Sequence, residues 1–381
     1  MQAFSAGDER LVRLIGERIR SSSQQAIPFK EYMSLCLYHD PLGYYMRAGE
    51  KIGKEGDFYT SAFIGSLMAE SLAAAAVRYW DSSAHHTHAV SRPYAITEWG
   101  GGPGRLAVQL LDELAATRPD IYELLTYTIV DTSPYHRERQ RLEATDRHTS
   151  ALRVLDEAAW WREPQPPGAV IVANELLDAF PVHLLEMRGG ILMEVYVALD
   201  EERDGAFVER LVPCADERLL AYAHKYAPDQ REGQRIEAAP DATRWMTSAA
   251  GKLQQGGLLL AIDYGDAAGE LYAPHRMAGT LLCYRRHQAH DNPYVECGLQ
   301  DMTAHVNFTA CIEEAQSAGC STAHWMTQKQ FLLEHGIMDK LQSHTSPDPF
   351  HPIARRNRAI RQLLVSDQMS ELFKVLTLLY E

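Results

Sequence analysis

The chain is 381 residues long and acidic, with 37 basic and 51 acidic residues and a formal net charge of −14. This balance argues against a broad cationic surface that binds nucleic acid by neutralising its phosphates. The six cysteines form no Cys-x-x-Cys pair, so neither a disulfide scaffold nor a metal knuckle is expected. No apolar run reaches the roughly 18 residues of a membrane span, and no signal-peptide pattern is present, so a cytoplasmic protein is expected.

Residues 1–90 are predicted to form a helical extension. Apolar residues recur at helical spacing near the start. Residues 33–38 are predicted to lie inside one helix and residues 63–79 in a longer one. The segment between them, residues 40–63, carries four glycines and is longer than most loops of compact domains. Loops of this length are usually functional or disordered, and the aromatic residues of this one argue against disorder.

From residue 91 the sequence alternates between apolar runs and helical patterns. This alternation predicts an α/β catalytic domain over residues 91–381, with a mostly parallel sheet and helices on both faces. Ser133 and Pro134 are typical of a helix N-terminus, and Gly189-Gly190 predicts a hairpin within an inserted region at about residues 183–241. A helix is predicted over 242–255. The predicted strands are YAITEWG, LLTYTIVD, ALRVLD, AVIVANE, LLLAIDYG and the closing FKVLTLLY.

Polar residues follow most of these strands. In an open parallel sheet, ligands bind beyond the carboxyl ends of the strands, where the strand order reverses. These positions are therefore the first candidates for a binding site. In chain order they are Glu98 with a glycine cluster, Asp131, Asp156, Asn174 with Glu175, and Asp263.

The glycine cluster after the first strand indicates the cofactor. Gly100, Gly102 and Gly104 have GxGxG spacing, and Arg105 stands where a dinucleotide-binding fingerprint needs its third glycine. Glu98 suits a cationic ligand better than a pyrophosphate. S-adenosylmethionine, with a sulfonium and an amino group, is therefore predicted rather than NAD. A tight turn without a ligand is the alternative for the glycines.

Further carboxylates fit the same cofactor. Asp131, at the end of the next strand, is placed to accept hydrogen bonds from ribose hydroxyls, and Asp156 to contact the adenine amino group. Asn174, Glu175 and Asp178 are predicted to lie near the transferable methyl group. For these three the alternative is a helix cap followed by acids in the first helical turn.

Several separated blocks resemble the MidA-type family of class I S-adenosylmethionine-dependent methyltransferases. Their order along residues 27–377 makes the resemblance more specific than the glycine motif alone. The blocks are IPFKEYMSLCLYHDPLGYY, IGKEGDFYTS, EWGGGPG, DTSPYHRERQRL, ANELLDAFPV, LLLAIDYG, GTLLCYRRH, GLQDMTAHVNFTA and MSELFKVLTL.

The resemblance implies a class I (Rossmann-like) core with an N-terminal extension and a substrate-facing insertion. Mitochondrial members of the family assist assembly of respiratory complex I by methylating an arginine, so the expected partner is an arginine-bearing protein. Phe58 and Thr60 are expected in a loop that covers the cofactor, and Tyr264 and His305 near the acceptor. Asn307 departs from the family pattern, which has an acid there.

Glu175 and Asp178 are also a candidate clamp for the guanidinium of such an arginine, since carboxylates bind it bidentately. An assembly factor that binds the cofactor without turnover is the alternative function. The oligomeric state is left open, a homodimer included.

Overall fold

The structure, a computed structural model, describes residues 6–49, 51, 57, 65–82, 94–144, 147–202, 206–253, 256–345, 348–365 and 371–380. The chain divides into two compact units, each built from three segments. The first unit comprises Met1–Phe58, Leu177–Trp245 and Gly265–Cys311. The second comprises Tyr59–Leu176, Met246–Tyr264 and Ile312–Glu381. The boundary that the sequence predicts near residue 90 stays a prediction.

Some helices begin at a residue whose side chain caps the helix N-terminus. The Asp8 side chain accepts a hydrogen bond from the backbone N–H of Arg10, and Ser133 Oγ from that of His136 at 3.3 Å, which confirms the predicted N-terminus there. The described α-helices are α1 (Glu9–Ser21), α2 (Phe29–Tyr38), α3 (Leu67–Ser82), α4 (Arg105–Thr117), α5 (Pro119–Tyr122), α6 (Pro134–Ala144), α7 (Glu157–Arg162), α8 (Glu217–Tyr226), α9 (Pro240–Gly251), α10 (Ala268–Leu271), α11 (Phe308–Ser317), α12 (Gln328–Glu334) and α13 (Pro352–Val365).

The described strands fall into three sheets. They are β1 (Ala26–Pro28), β2 (Tyr94–Trp99), β3 (Leu125–Val130), β4 (Leu152–Leu155), β5 (Ala169–Asn174), β6 (His183–Arg188), β7 (Ile191–Leu199), β8 (Phe207–Pro213), β9 (Arg235–Ala238), β10 (Gly257–Asp266), β11 (Leu282–Arg285), β12 (Gln288–His290), β13 (Asp301–Thr303), β14 (Val306–Asn307), β15 (Thr322–Thr327) and β16 (Phe373–Tyr380).

The second unit contains a sheet in the order β15-β16-β10-β5-β2-β3-β4. The pairs β10·β5, β5·β2, β2·β3 and β3·β4 are parallel, whereas β16 is antiparallel to both β10 and β15. The chain builds β2, β3 and β4 outward in one direction and then returns to place β5 on the other side of β2. The strand order therefore reverses between β2 and β5, and this is the position where open α/β sheets bind ligands.

Both faces of this sheet are covered, as the predicted α/β class requires. Val170 and Val172 of β5 belong to a core shared with α3, α4, α12 and α13. Ile171 and Ala173, which alternate with them and face the other way, are at most 1% exposed. The continuous apolar run of β5 thus reflects burial on two faces, as is usual for a central parallel strand.

The first unit is built on an antiparallel sheet. β7 pairs with β8 on one edge and with β6 and β1 on the other, and β9 extends the sheet beyond β6. Helices α1 and α2 pack on it through an apolar core that includes Leu11, Ile15 and Phe29. The Gly189-Gly190 turn has φ of 58° and 73°, the backbone of a two-residue hairpin, which confirms that prediction.

Three other sequence predictions can be compared directly. The closing strand is β16, with the predicted residues, and β10 covers the predicted LLLAIDYG. The helix predicted over 242–255 is α9, which begins at Pro240 and ends at Gly251. No helix in the described part of the chain is long and apolar enough to cross a membrane.

Candidate active site

The glycine turn follows β2 at the reversal of strand order. Gly100, Gly102 and Gly104 have φ of 69°, 52° and 87°, a conformation that residues with a Cβ rarely adopt. At Gly100 a Cβ would also lie 2.9 Å from Cδ1 of Leu176. Gly104 is the N-cap of α4, so the turn leads directly into a helix. The positive φ angles favour glycine at all three positions, and at Gly100 the close contact with Leu176 excludes a side chain as well.

Glu98 is a buried carboxylate beside this turn. It is 2% exposed, and its Oε2 accepts a hydrogen bond from the Tyr127 hydroxyl at 2.8 Å. Burial raises the pKa of Glu98 to about 7; the Tyr127 hydrogen bond opposes this rise and the negative charge of Asp131 adds to it. No cation among the described residues compensates the carboxylate. The site therefore has an unbalanced negative charge once Glu98 ionises.

Asp131 lies next to the glycine turn, immediately after β3. The backbone N–H of Gly100 donates to the carbonyl of Val130 at 2.9 Å, which joins the two strand ends. Asp131 Oδ1 accepts from Ser133 N at 2.9 Å and Oδ2 from Gln140 Nε2 at 2.9 Å. Oδ2 also lies 3.6 Å from His136 Nδ1, beyond hydrogen-bond distance. A carboxylate oxygen has about two acceptor positions, so these hydrogen bonds leave one on each oxygen for a ligand.

Asn174 ends β5, the strand on the other side of β2. In this register Trp99 pairs with Ala173, so the glycine turn and Asn174 leave the sheet at the same level. Asn174 Nδ2 donates to Oε1 of Glu175 at 3.3 Å, but Oδ1 is buried and has no hydrogen-bond partner. Buried polar atoms are normally paired, so this oxygen marks a place for a donor from a ligand.

Glu175 has φ of 52°, unusual for a residue with a side chain. Its backbone N–H donates to Ile262 O at 2.8 Å, and the N–H of Leu176 donates to Asp263 Oδ2 at 3.1 Å. Asp263 itself is fully buried. The end of β10 thus holds Glu175 in its backbone conformation. No helix begins between β5 and β6, so the alternative of a helix cap at Asn174 is wrong.

The remaining predicted residues of this unit lie farther along the same sheet. Tyr264, near the end of β10, packs its ring on Phe373 with a centroid separation of 3.9 Å. Asp156 follows β4, next to Asp131, whose N–H donates to Leu155 O at 3.2 Å. The exposed Asp156 carboxylate caps α7 by accepting from Ala159 N. Phe58 and Thr60 lie outside the described residues.

Asp178 and His305 belong to the first unit. The buried Asp178 accepts a hydrogen bond from Ala304 N through its backbone carbonyl at 3.0 Å, and the N–H of His305 donates to Thr280 Oγ1 at 3.0 Å. The structure thus brings these two segments together. It groups Asn174 and Glu175 separately, within the second unit.

A small cavity of about 20 Å³ lies in the first unit, next to His305 and Asn307. Asn307 Nδ2 donates to the Tyr222 hydroxyl at 2.9 Å, and that hydroxyl contacts the Tyr272 hydroxyl at 2.8 Å. An ionised acid could not donate to Tyr222, so the departure from the family pattern at this position supplies a needed hydrogen-bond donor. Room for about one or two water molecules is all that such a volume offers.

Two residues of the site carry no distinctive sequence signal. Tyr127 lies within the mostly apolar strand β3, where a tyrosine is unremarkable. Gln140 is one of many polar residues in the highly charged helix α6. Both act across separate chain segments, Tyr127 on Glu98 and Gln140 on Asp131. Asp263, in contrast, is visible in the sequence because it is a single acid after the apolar run of β10.

Comparison with known proteins identifies the family. The family described as "Putative S-adenosyl-L-methionine-dependent methyltransferase" matches residues 71–326. A crystal structure of a protein from Burkholderia thailandensis bound to S-adenosyl-homocysteine is 32% identical, covers 97% of this chain and 92% of that one, and superposes with a TM-score of 0.85. The chain belongs to this methyltransferase family.

Other relatives match the methyltransferase over most of its length. A native crystal structure of an uncharacterized Burkholderia thailandensis protein is 33% identical over 97% of this chain and 91% of that one, with a TM-score of 0.83. The mitochondrial protein arginine methyltransferase NDUFAF7 homologue of Drosophila melanogaster is 25% identical over 87% of this chain and 77% of its own length. NDUFAF7 of Xenopus tropicalis is also 25% identical, over 91% and 81%.

The residues of the methyltransferase fit its family's cofactor on structural grounds. The buried, uncompensated carboxylate of Glu98 suits an amino cation. The acceptor positions left on Asp131 suit the two ribose hydroxyls. The turn from Gly100 to Gly104 lets a ligand approach the backbone closely. The class I fold, the methyltransferase family and the cofactor S-adenosylmethionine are therefore confirmed.

Proposed function

We propose that this methyltransferase transfers a methyl group from S-adenosylmethionine to an arginine side chain of a partner protein. The names of two curated relatives, both protein arginine methyltransferases, support the choice of acceptor. The observation that carries the proposal is the arrangement at the reversal of strand order. There the buried carboxylate of Glu98 lies in β2 opposite Val172 of the neighbouring strand β5, two residues before the unpartnered side-chain oxygen of Asn174.

Glu98, near the end of β2, and the residues after β2 and β3 would hold the cofactor. Bound S-adenosylmethionine supplies an electrophilic methyl group on a sulfonium. Glu98 would pair with the amino group of the cofactor, and the pairing would lower the pKa of the carboxylate from its raised value. Asp131 would accept hydrogen bonds from the ribose hydroxyls, and the glycine turn would allow close contact with its backbone.

The residues after β5 would hold the acceptor. Asn174 Oδ1 would accept an N–H hydrogen bond from the acceptor nitrogen and so orient it. The carboxylate of Glu175 would bind the guanidinium, which is always protonated in proteins, and stabilise its positive charge. Hydrogen bonds to β10 hold the backbone of Glu175, and this fixes the position from which its side chain extends. Asp178 as a second clamp residue stays a prediction.

Labelled methyl transfer tests this proposal. The purified chain is incubated with methyl-labelled S-adenosylmethionine and a lysate of cells that lack it, and the labelled residue is identified by mass spectrometry. We expect the label on an arginine nitrogen. For Asn174→Ala we expect transfer to fall by about 10²-fold with the affinity for S-adenosylhomocysteine retained, because the residue would act on the acceptor alone.

Asn357→Ala is the matched control. The side chain of Asn357, on α13, hydrogen-bonds to the backbone of Gln342 in the segment before that helix. This variant should transfer methyl groups like the wild type. Label on another residue type would contradict the arginine acceptor. Cofactor binding without any transfer would favour an assembly factor instead.

A further inference from the structure

Gln140 joins two parts of the cofactor site that are distant in sequence. It lies in the middle of α6 and is 1% exposed. Its Nε2 donates to the carbonyl oxygen of Gly102 at 2.8 Å and to Oδ2 of Asp131 at 2.9 Å. One amide group therefore binds the glycine turn after β2 and the carboxylate after β3 at the same time.

The orientation of this amide is determined by its partners. Both are acceptors, so the two Nε2 hydrogens must face them, and a flipped amide would place oxygen against oxygen. Oε1 of Gln140 then points away from both and has no hydrogen-bond partner in the described part of the chain. A buried amide that leaves its own oxygen unpaired is retained at a cost, which argues for a role beyond packing.

Packing at Gly104 supports the same connection. A Cβ at Gly104 would lie 3.3 Å from both Cα and Cγ of Gln140. The backbone of the glycine turn thus rests directly on α6 at this residue. Gln140 fixes the turn by contact at Gly104 and by a hydrogen bond at Gly102.

Two hydrogen bonds fix the orientation of the Asp131 carboxylate. Oδ1 accepts from Ser133 N and Oδ2 from Gln140, so neither oxygen is free to rotate toward another partner. One acceptor position remains on each oxygen, and the pair of positions matches the two adjacent hydroxyls of a ribose. Without Gln140 the carboxylate would keep its bond to Ser133 and the 3.6 Å contact of Oδ2 with His136 Nδ1, and it could turn about the Ser133 bond.

We propose that Gln140 is a positioning residue that sets the Asp131 carboxylate against the glycine turn and thereby gives the site its preference for an intact ribose. The proposal rests on the proposed cofactor contacts of Asp131. Gln140 does not touch the ligand in this account; it acts through Asp131 and Gly102.

Calorimetric titration with two ligands tests it: S-adenosylhomocysteine and its 2′,3′-dideoxyribose analogue. The wild type should bind the natural ligand much more tightly than the analogue. Gln140→Leu should lose about tenfold in affinity for S-adenosylhomocysteine, the scale of one hydrogen bond to a charged group. Its affinity for the analogue should change little. The ratio of the two affinities, the discrimination, should therefore fall to the value found for Asp131→Asn.

Gln140→Glu keeps the shape of the side chain and tests the same point if the leucine variant does not fold. Its carboxylate would face Asp131 and the Gly102 carbonyl, so we expect weak binding of S-adenosylhomocysteine and lost discrimination at pH 8. Gln234→Leu is the matched control. Gln234 is equally buried and donates to three backbone carbonyls of the first unit, so its loss should lower stability but leave the discrimination unchanged.

Wild-type discrimination in both Gln140 variants would overturn the inference. If those variants and Asp131→Asn all discriminate like the wild type, the ribose contact of Asp131 is wrong as well. If only Asp131→Asn loses discrimination, the cofactor assignment stands and the role of Gln140 alone fails. A wild type that binds neither ligand would overturn both proposals.

Discussion

Replacing Glu98 by glutamine should make the protein more stable while removing cofactor binding. A buried carboxylate that no cation compensates destabilises the folded state whenever it is ionised. Glutamine has the same shape, and its amide oxygen can still accept the hydrogen bond from Tyr127. The variant therefore removes the charge and little else.

The size of the effect follows from the raised pKa of Glu98. The rise from 4.5 to about 7 is about 2.5 pH units, and at about 1.4 kcal/mol per unit this corresponds to about 3 kcal/mol. Below pH 4.5 the carboxyl group is protonated in both the folded and the unfolded state, and it costs nothing. Above pH 7 the carboxyl group is ionised in both states, and the buried charge then lowers the free energy of unfolding by the full amount. The stability advantage of Glu98→Gln over the wild type should thus grow by about 3 kcal/mol between pH 4.5 and pH 8.

Urea unfolding followed by tryptophan fluorescence measures this difference. The signal reports mainly on the second unit, because five of the six tryptophans belong to it: Trp80, Trp99, Trp160, Trp161 and Trp325. Binding of S-adenosylhomocysteine to the same samples, measured by calorimetry, should be lost in the variant.

Glu70→Gln is the matched control, with the opposite sign. Glu70 is also buried, but its carboxylate is paired with Arg356 at 2.7 Å and Lys340 at 2.5 Å. Burial would raise the pKa of Glu70, yet the hydrogen bonds from these cations outweigh it and lower the pKa to about 2. The stability that this pairing contributes is present above pH 4.5 and lost toward pH 2, so Glu70→Gln should destabilise the protein at pH 8. Loss of stability in Glu98→Gln at pH 8, or an advantage independent of pH, would refute the reasoning.

Three further changes test single contacts. Tyr127→Phe removes the hydrogen bond that lowers the pKa of Glu98, so the pH profile of S-adenosylhomocysteine binding should shift upward by as much as about one unit; an unchanged profile would count against the contact. Gly104→Ala, at φ of 87° and against α6, should cost about 1–3 kcal/mol in urea unfolding and weaken ligand binding; wild-type values for both would contradict the packing argument. Asn307→Asp removes the donor to Tyr222 and should cost about 1–3 kcal/mol without changing ligand affinity, as unfolding and calorimetry together would show.

The second unit was largely predictable because its signals are local. A strand that is buried on both faces has a continuous run of apolar residues in its sequence, and this pattern predicts β5 and β10. The last residues of such a strand lie at the edge of the sheet where ligands bind, so the sequence places Glu98 and Asn174 there. The glycine turn was equally visible, since its backbone conformation demands the residue type.

The features that sequence reasoning missed depend on distant partners. β1 has three residues and pairs with β7, about 170 positions later, so no local pattern marks it as a strand. Sequence spacing alone also does not show that the chain passes from the second unit into the first between Leu176 and Leu177. The raised pKa of Glu98 and the bridge made by Gln140 likewise arise from packing between separate segments, which residue types alone do not reveal.

The pH dependence of S-adenosylhomocysteine binding tests the central claim most directly, namely that Glu98 is the anionic group of the cofactor site. Calorimetric titrations of the wild type between pH 5.5 and 8 should show nearly constant affinity above pH 7 and a fall of about tenfold per pH unit well below it, because the carboxyl group must lose its proton to bind the amino cation. An affinity that does not change across this range, or that survives in Glu98→Gln, would contradict the account.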